Sequence, residues 1–191
     1  RNSTQDFTID LASNIVTFHG KTVHTDWKVT LAETGASAMT GARIKSIKKH
    51  IPDGETFMIT YGDGLGDVDI DALLTFHESH GKTMTVTGVR PPGRFGEIAI
   101  GEQGIVSGFN EKPQTASGRI SGGYFVANYN LFDYLNDDQG LVFEKEPMEN
   151  LVSDQELVAF KHDGFWQPMD TAREYALLNS LYESGEAPWI R

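Results

Sequence analysis

No cysteine occurs among the 191 residues, which excludes a disulfide framework and any cysteine-ligated zinc site. Basic residues are scarce: 16 lysines and arginines stand against 27 acids, for a net charge of −11. That balance opposes a nucleic-acid duplex or an anionic membrane as the main partner, so a phosphate ligand has to be held by a local basic group. No apolar run reaches membrane-spanning length and no signal peptide stands at the start. These absences predict a soluble, cytoplasmic protein. The six histidines show no HxxxH-type spacing, and there is no serine elbow. Asn2-Ser3-Thr4 matches a glycosylation sequon, which has no meaning without a secretory context.

What is present is a core-forming chain. Its apolar content of 39% suits one main domain over residues 1–191, with residues 1–31 as a hairpin-rich edge or oligomerisation region. Residues 7–11, 15–18 and 29–31 read as short strands broken by polar turns. A small-residue loop, Glu33 to Gly41, feeds a helix over 42–50 with Ile44, Ile47 and Ile51 at helical spacing. Strands are predicted over 57–60, 84–89, 123–127 and 156–161, with a hairpin over 96–109. Helices are predicted over 69–80, 131–135, 144–152 and 172–183, and Gly81 stops the first of these. Strands alternating with helices predict an α/β fold, Rossmann-like, with a mixed, largely parallel sheet flanked by helices.

Two acids stand out by position. Asp63, in Tyr61-Gly62-Asp63-Gly64, follows a buried-type strand, and ligands of open α/β sheets bind beyond the carboxyl ends of strands. Asp170, in Phe165-Trp166-Gln167-Pro168-Met169-Asp170-Thr171, precedes a helix. A turn aspartate and a helix N-cap are the plain alternatives. Thr171 and Glu174 form a capping box by themselves, however, which leaves Asp170 for other work. Two acids at the ends of separate elements are what a metal ion shared with a phosphate needs.

Asp67, Asp69, Asp71 and Glu78 mimic the ligand spacing of a calcium loop, but Ala72 stands where such a loop needs glycine. Of Arg43, Lys45, Lys48 and Lys49, only Arg43 lies near enough to the helix start to share a phosphate. The three lysines read as an exposed face. Arg90 and Arg94 flank Pro91-Pro92-Gly93, a lid or a plain loop. In Glu111-Lys112-Pro113 the lysine could hold a phosphate and the carboxylate a sugar hydroxyl, or the two could form a surface ion pair. Gly122-Gly123 reads as a close approach to a ligand or as a β-bulge.

In order along the chain, Glu33-Thr34-Gly35 to Met39-Thr40-Gly41-Ala42-Arg43, Tyr61-Gly62-Asp63-Gly64, Pro91 to Gly96, Glu111-Lys112-Pro113, Gly122-Gly123-Tyr124-Phe125 and Gly164 to Thr171 resemble the glucose-1-phosphate cytidylyltransferases of the sugar nucleotidyltransferase family. The resemblance implies transfer of a cytidylyl group from CTP to glucose 1-phosphate, giving CDP-glucose for nucleotide-sugar and polysaccharide biosynthesis. It implies Mg²⁺ as cofactor, held by Asp63 and Asp170, with Lys112 on the sugar phosphate and Arg43 on nucleotide phosphate. Glu111 and the backbone near Gly96 and Gly122-Gly123 would bind glucose, and Thr34, Gly35, Thr40 and Gly41 would line the base pocket. Tyr61 and Gly62 would also bind substrate. A homo-oligomer is implied as well. Members of the family also carry a glycine-rich loop ending in Gly-Thr-Arg, which does not occur in this sequence; the expectation is that this polypeptide alone is weakly active or inactive. A non-catalytic sugar-nucleotide binding module is the alternative.

Overall fold

The computed structural model describes residues 6–13, 15–19, 28–92, 97–100, 106–110 and 118–190. They fall into two compact units, Arg1–Glu33 and Thr34–Arg191. In the first, β1 (Asp6–Asp10) and β2 (Ile15–His19) form an antiparallel hairpin, as their alternation predicts. Its turn is closed by Asp10 Oδ1, which accepts the N–H of Ala12 at 2.9 Å and of Ser13 at 3.3 Å. Residues 29–31, expected as a third strand, are irregular; a β-branched pair without a ladder partner does not make a strand.

The second unit is built on a four-stranded sheet. β3 (Phe57–Thr60), β5 (Met84–Val89), β8 (Ile120–Ala127) and β9 (Leu157–His162) stand in the order β3-β8-β5-β9. β8 pairs antiparallel with both β3 and β5, while β5 and β9 are parallel. The sheet is therefore mixed, and β3, β5 and β9 all run the same way. Two small pairs accompany it: β4 (Gly64–Gly66) with β10 (Trp166–Pro168), and β6 (Glu97–Ile100) with β7 (Val106–Asn110), the latter where the sequence predicts a hairpin.

Alternation along β8 sorts the two faces. Phe125 and Ala127 join Met84, Leu131, Phe132, Phe143 and Leu151 in the larger core, beneath α1 (Thr40–Ser46) and α3 (Glu146–Ser153). Val126 points the other way, to Val68 and Leu73 under α2 (Ile70–His80), with Tyr124 and Phe160 packed alongside. On that second face Thr85 Oγ1 meets His77 Nδ1 at 2.9 Å and His80 Nε2 at 2.8 Å, so two histidines are spent on the helix–sheet seam. Asp69 caps α2 by accepting the N–H of Ala72 at 3.0 Å, and Gly81 ends it at φ 64°. The helix start thus falls inside the Asp67–Glu78 span, which rules out a twelve-residue calcium loop there.

Of the three lysines expected on an exposed face, Lys49 is exposed, and Lys45 and Lys48 behave otherwise. Lys45 Nζ donates to the carbonyls of Phe132 at 3.0 Å and Leu135 at 2.7 Å, closing the end of a 3₁₀ turn over Tyr129–Tyr134, and Lys48 Nζ lies 5.2 Å from the centre of the Tyr129 ring. Hydrogen bonds to a charged donor contribute about 1.5–3 kcal/mol. Lys45→Met should therefore lower the unfolding free energy by about 2 kcal/mol, measured by urea titration.

Glu156 ties the amino ends of β5 and β9 together. Its Oε2 accepts the N–H of Thr83 at 2.8 Å and the Thr83 hydroxyl at 2.9 Å, and Oε1 meets Lys82 Nζ at 3.2 Å. These bonds, Thr83's first, hold its carboxyl below the usual range. A depressed folded value means the stabilisation is present above the unfolded carboxylate value of about 4.3 and is lost as pH falls through the folded one. The stability gap between the wild type and Glu156→Gln should be constant near neutrality and close below about pH 4, as followed by thermal melts.

Candidate active site

The carboxyl ends of β3, β5 and β9 lie along one edge of the sheet, since Thr60 pairs with Tyr124, and Val89 with both Ile120 and His162. From the end of β3 the chain passes through Tyr61 into a turn at Gly62-Asp63 and then into β4. The β4–β10 ribbon is fastened to the sheet by Trp166 Nε1 donating to the Gly122 carbonyl at 2.9 Å and by the Tyr124 hydroxyl donating to the Gly64 carbonyl at 2.8 Å. At its end the N–H of Met169 donates to the Asp63 carbonyl at 2.8 Å. That bond places Asp63 beside the residue preceding Asp170, so two acids far apart in sequence come to neighbouring backbone positions.

Asp170 is released from capping, as its neighbours predict. Thr171 Oγ1 accepts the N–H of Glu174 at 3.2 Å, and Glu174 Oε2 accepts the N–H groups of both Thr171 and Asp170 at 2.9 Å. The capping box at the start of α4 (Ala172–Glu183) is complete without the Asp170 carboxylate. Both Asp63 and Asp170 are exposed. Two such carboxylates could hold a hard divalent cation whose remaining ligands are phosphate oxygens and water, the manner in which Mg²⁺ is ordinarily bound. Among the described residues there is no group of three or more metal-ligating side chains.

A second set of predicted residues gathers around α1. Arg43 donates to Thr34 Oγ1 at 2.7 Å. The N–H groups of Met39, Gly41 and Ala42 donate to the carbonyls of Gln139 and Leu141 at 2.9, 2.9 and 3.3 Å. Gly41 is glycine for packing: a Cβ there would come within 2.8 Å of Leu141 Cγ. Gly35 adopts φ +97°, the left-handed region. Gly62 differs, since a Cβ on it would meet nothing within 4 Å.

Glu144 joins the two sets, although no motif spacing singles it out. Its Oε2 accepts the Thr40 hydroxyl at 2.7 Å, and its Oε1 accepts the hydroxyl of Tyr61. Thr40 Oγ1 accepts the N–H of Phe143 at 2.9 Å in turn. Burial works against the Glu144 charge, but the bonds from Tyr61 and Thr40 outweigh it and the carboxyl sits below its usual range. Burial and then Glu144 drive the Tyr61 phenol up, so this pair stays a phenol on a carboxylate at neutral pH.

Gly122 and Gly123 form a β-bulge. The ladder between β5 and β8 shifts between Val86 and Gly88, Gly123 sits at φ +77°, and a Cβ on Gly122 would meet Val89 Cγ1 at 2.6 Å. Nearby, Asp163 Oδ1 accepts from Arg90 at 2.9 Å and from Arg119 at 2.6 Å, and Arg119 also donates to the carbonyls of Gly88 and His162. Arg90 is thereby tied to the strand ends and not held out as a lid. Gly96, Glu111, Lys112 and Arg94 lie outside the described residues.

The nucleotidyl transferase family profile matches residues 17–184. The chain belongs to the nucleotidyl transferase family. Across 184 residues, 96% of this nucleotidyl transferase, it is 46% identical to the glucose-1-phosphate cytidylyltransferases of Salmonella typhi and Salmonella typhimurium, covering 70% of each. Among solved structures, HddC from Yersinia pseudotuberculosis matches with a TM-score of 0.52 at 18% identity, over 76% of this chain and 63% of that one. At that identity the likeness bears on the fold, and it agrees with a mixed sheet flanked by helices. No helix among the described residues is long and apolar enough to cross a membrane.

Proposed function

We propose that this nucleotidyl transferase moves a cytidylyl group from CTP to glucose 1-phosphate, releasing pyrophosphate and forming CDP-glucose. The observation that carries this reading is the bond from Met169 N–H to the Asp63 carbonyl, which sets Asp63 and Asp170 together at the sheet's carboxyl edge. The chain that does so is nearly half identical, over almost its whole length, to glucose-1-phosphate cytidylyltransferases. In the reaction an oxygen of glucose 1-phosphate forms a bond to the α-phosphorus of CTP, and the bond between that phosphorus and the bridging oxygen breaks, its electron pair leaving with pyrophosphate.

Asp63 and Asp170 are the residues that would hold Mg²⁺, which when bound supplies charge neutralisation and a template for the phosphates. Arg43, presented by α1 beside Thr34, lies on the nucleotide side with Gly35, Thr40 and Gly41. Lys112 and Glu111 would take the sugar phosphate and a glucose hydroxyl, with backbone near Gly96, Gly122 and Gly123 completing the sugar side. No covalent intermediate is required, so the chain's task is in-line positioning and neutralisation of charge. The protein works in the cytoplasm, as a homo-oligomer, on soluble substrates.

The test is chromatographic detection of CDP-glucose after incubation with CTP, glucose 1-phosphate and Mg²⁺. CDP-glucose in preference to UDP-glucose under matched UTP supports the reading. Equal formation of both would remove the cytidylyl assignment.

A further inference from the structure

Glu144 has both carboxylate oxygens engaged, each by a different part of the site. One side of the bridge is Thr40, the first residue of α1, which carries Arg43 three residues on. The other is Tyr61, two residues before Asp63. Phe143 and Leu141 fix the bridge from beneath: the Phe143 N–H donates to Thr40 Oγ1, and the Leu141 carbonyl accepts from Gly41 and Ala42. Phe143 is fully buried in the main core, so its neighbour is presented from a rigid base. The α1 segment and the Asp63 turn come from different elements: α1 is packed on residues 139–141, while Tyr61, leading into the turn, donates its N–H to the Gly123 carbonyl and packs on Phe125 in the shared core, so that the Glu144 carboxylate is the polar tie from one to the other.

We infer that Glu144 is a positioning residue that holds the nucleotide half of the site in register with the metal and sugar-phosphate half. The inference rests on the cytidylyltransferase reading for the identity of the two halves, but not for the existence of the bridge. A ligand that spans both halves needs them at a fixed separation, and loose halves behave as two weak sites joined by a slack linker. A residue that only stabilised the fold would weaken every ligand alike. A register residue weakens the spanning ligand and spares its parts.

The experiment compares wild type, Glu144→Ala, Glu144→Gln and Tyr61→Phe by calorimetric titration with CDP-glucose, CMP and glucose 1-phosphate, each with Mg²⁺. The expected result is a dissociation constant for CDP-glucose raised about tenfold or more in Glu144→Ala and Tyr61→Phe, with changes under about twofold for CMP and glucose 1-phosphate. Glu144→Gln, which keeps one acceptor, should fall between. Parallel losses for all three ligands, or no loss for CDP-glucose, would overturn the inference.

Amide hydrogen exchange without ligand judges the bridge by itself. In Glu144→Ala the N–H groups of Met169 and Gly41 should both exchange about tenfold faster while Val126 in the sheet centre is unchanged. Unchanged exchange at either site would also overturn it. Failure of the wild type to bind CDP-glucose would instead remove the proposed substrates, and the exchange result would then decide the bridge.

Discussion

Asp63→Asn is expected to weaken Mg²⁺-dependent binding of CDP-glucose by about a hundredfold or more while leaving the fold intact. The Asp63 backbone carbonyl, not its side chain, holds the ribbon to Met169, so a near-isosteric amide preserves the turn. What the change removes is a negative charge where a divalent cation and a phosphate would meet. Asp170→Asn should act alike, because the capping box of Thr171 and Glu174 fastens α4 without it. Titration with and without Mg²⁺, beside thermal melts, reads both quantities. Binding that persists undiminished in either variant would remove that residue from the metal site; a collapsed melting temperature would assign it a structural role.

Phe143→Ala is expected to have the largest effect on stability. The ring is 0% exposed and packs edge-on against Phe125 with centroids 5.9 Å apart. Removing it leaves a cavity beside Phe125 in the main core, at a cost of about 3–5 kcal/mol. That is a large share of the roughly 5–15 kcal/mol by which a domain is ordinarily stable. Denaturant unfolding measures it, and a loss below about 1 kcal/mol would mean the core closes over the gap. In the folded fraction, Glu144 should lose its fixed presentation, so Phe143→Ala should also weaken CDP-glucose binding.

Periodicity and punctuation made the main elements readable. β3, β5 and α4 begin and end where apolar runs, turn residues and the Thr171–Glu174 capping box place them, because those signals are local, but β3, read as a buried central strand, stands at the end of the described sheet with Met58 45% exposed. The β4–β10 ribbon is not local. Gly64-Leu65-Gly66 has no alternation to read, and its partner, Trp166–Pro168, lies far along the chain. Yet that ribbon is what brings Asp63 to Asp170, so the sequence pointed to both acids without showing how they meet.

The fate of the cations was hidden for a similar reason. Lys45 and Lys48 sit at positions any exposed helix face would allow, and only the approach of the Tyr129–Tyr134 turn gives them carbonyls and an aromatic ring to hold. Glu144 lay in an acidic stretch with no motif spacing; a hydroxyl at Thr40 and a phenol at Tyr61 become its partners only in three dimensions. An acid flanked by Phe143 and a helix start was the one available signal.

The most direct test of the central claim is a calorimetric titration of the folded chain with CDP-glucose and Mg²⁺, with UDP-glucose as the comparison. The account predicts saturable binding that requires Mg²⁺ and prefers the cytidine nucleotide. Binding that ignores Mg²⁺, or that takes UDP-glucose equally well, would contradict it.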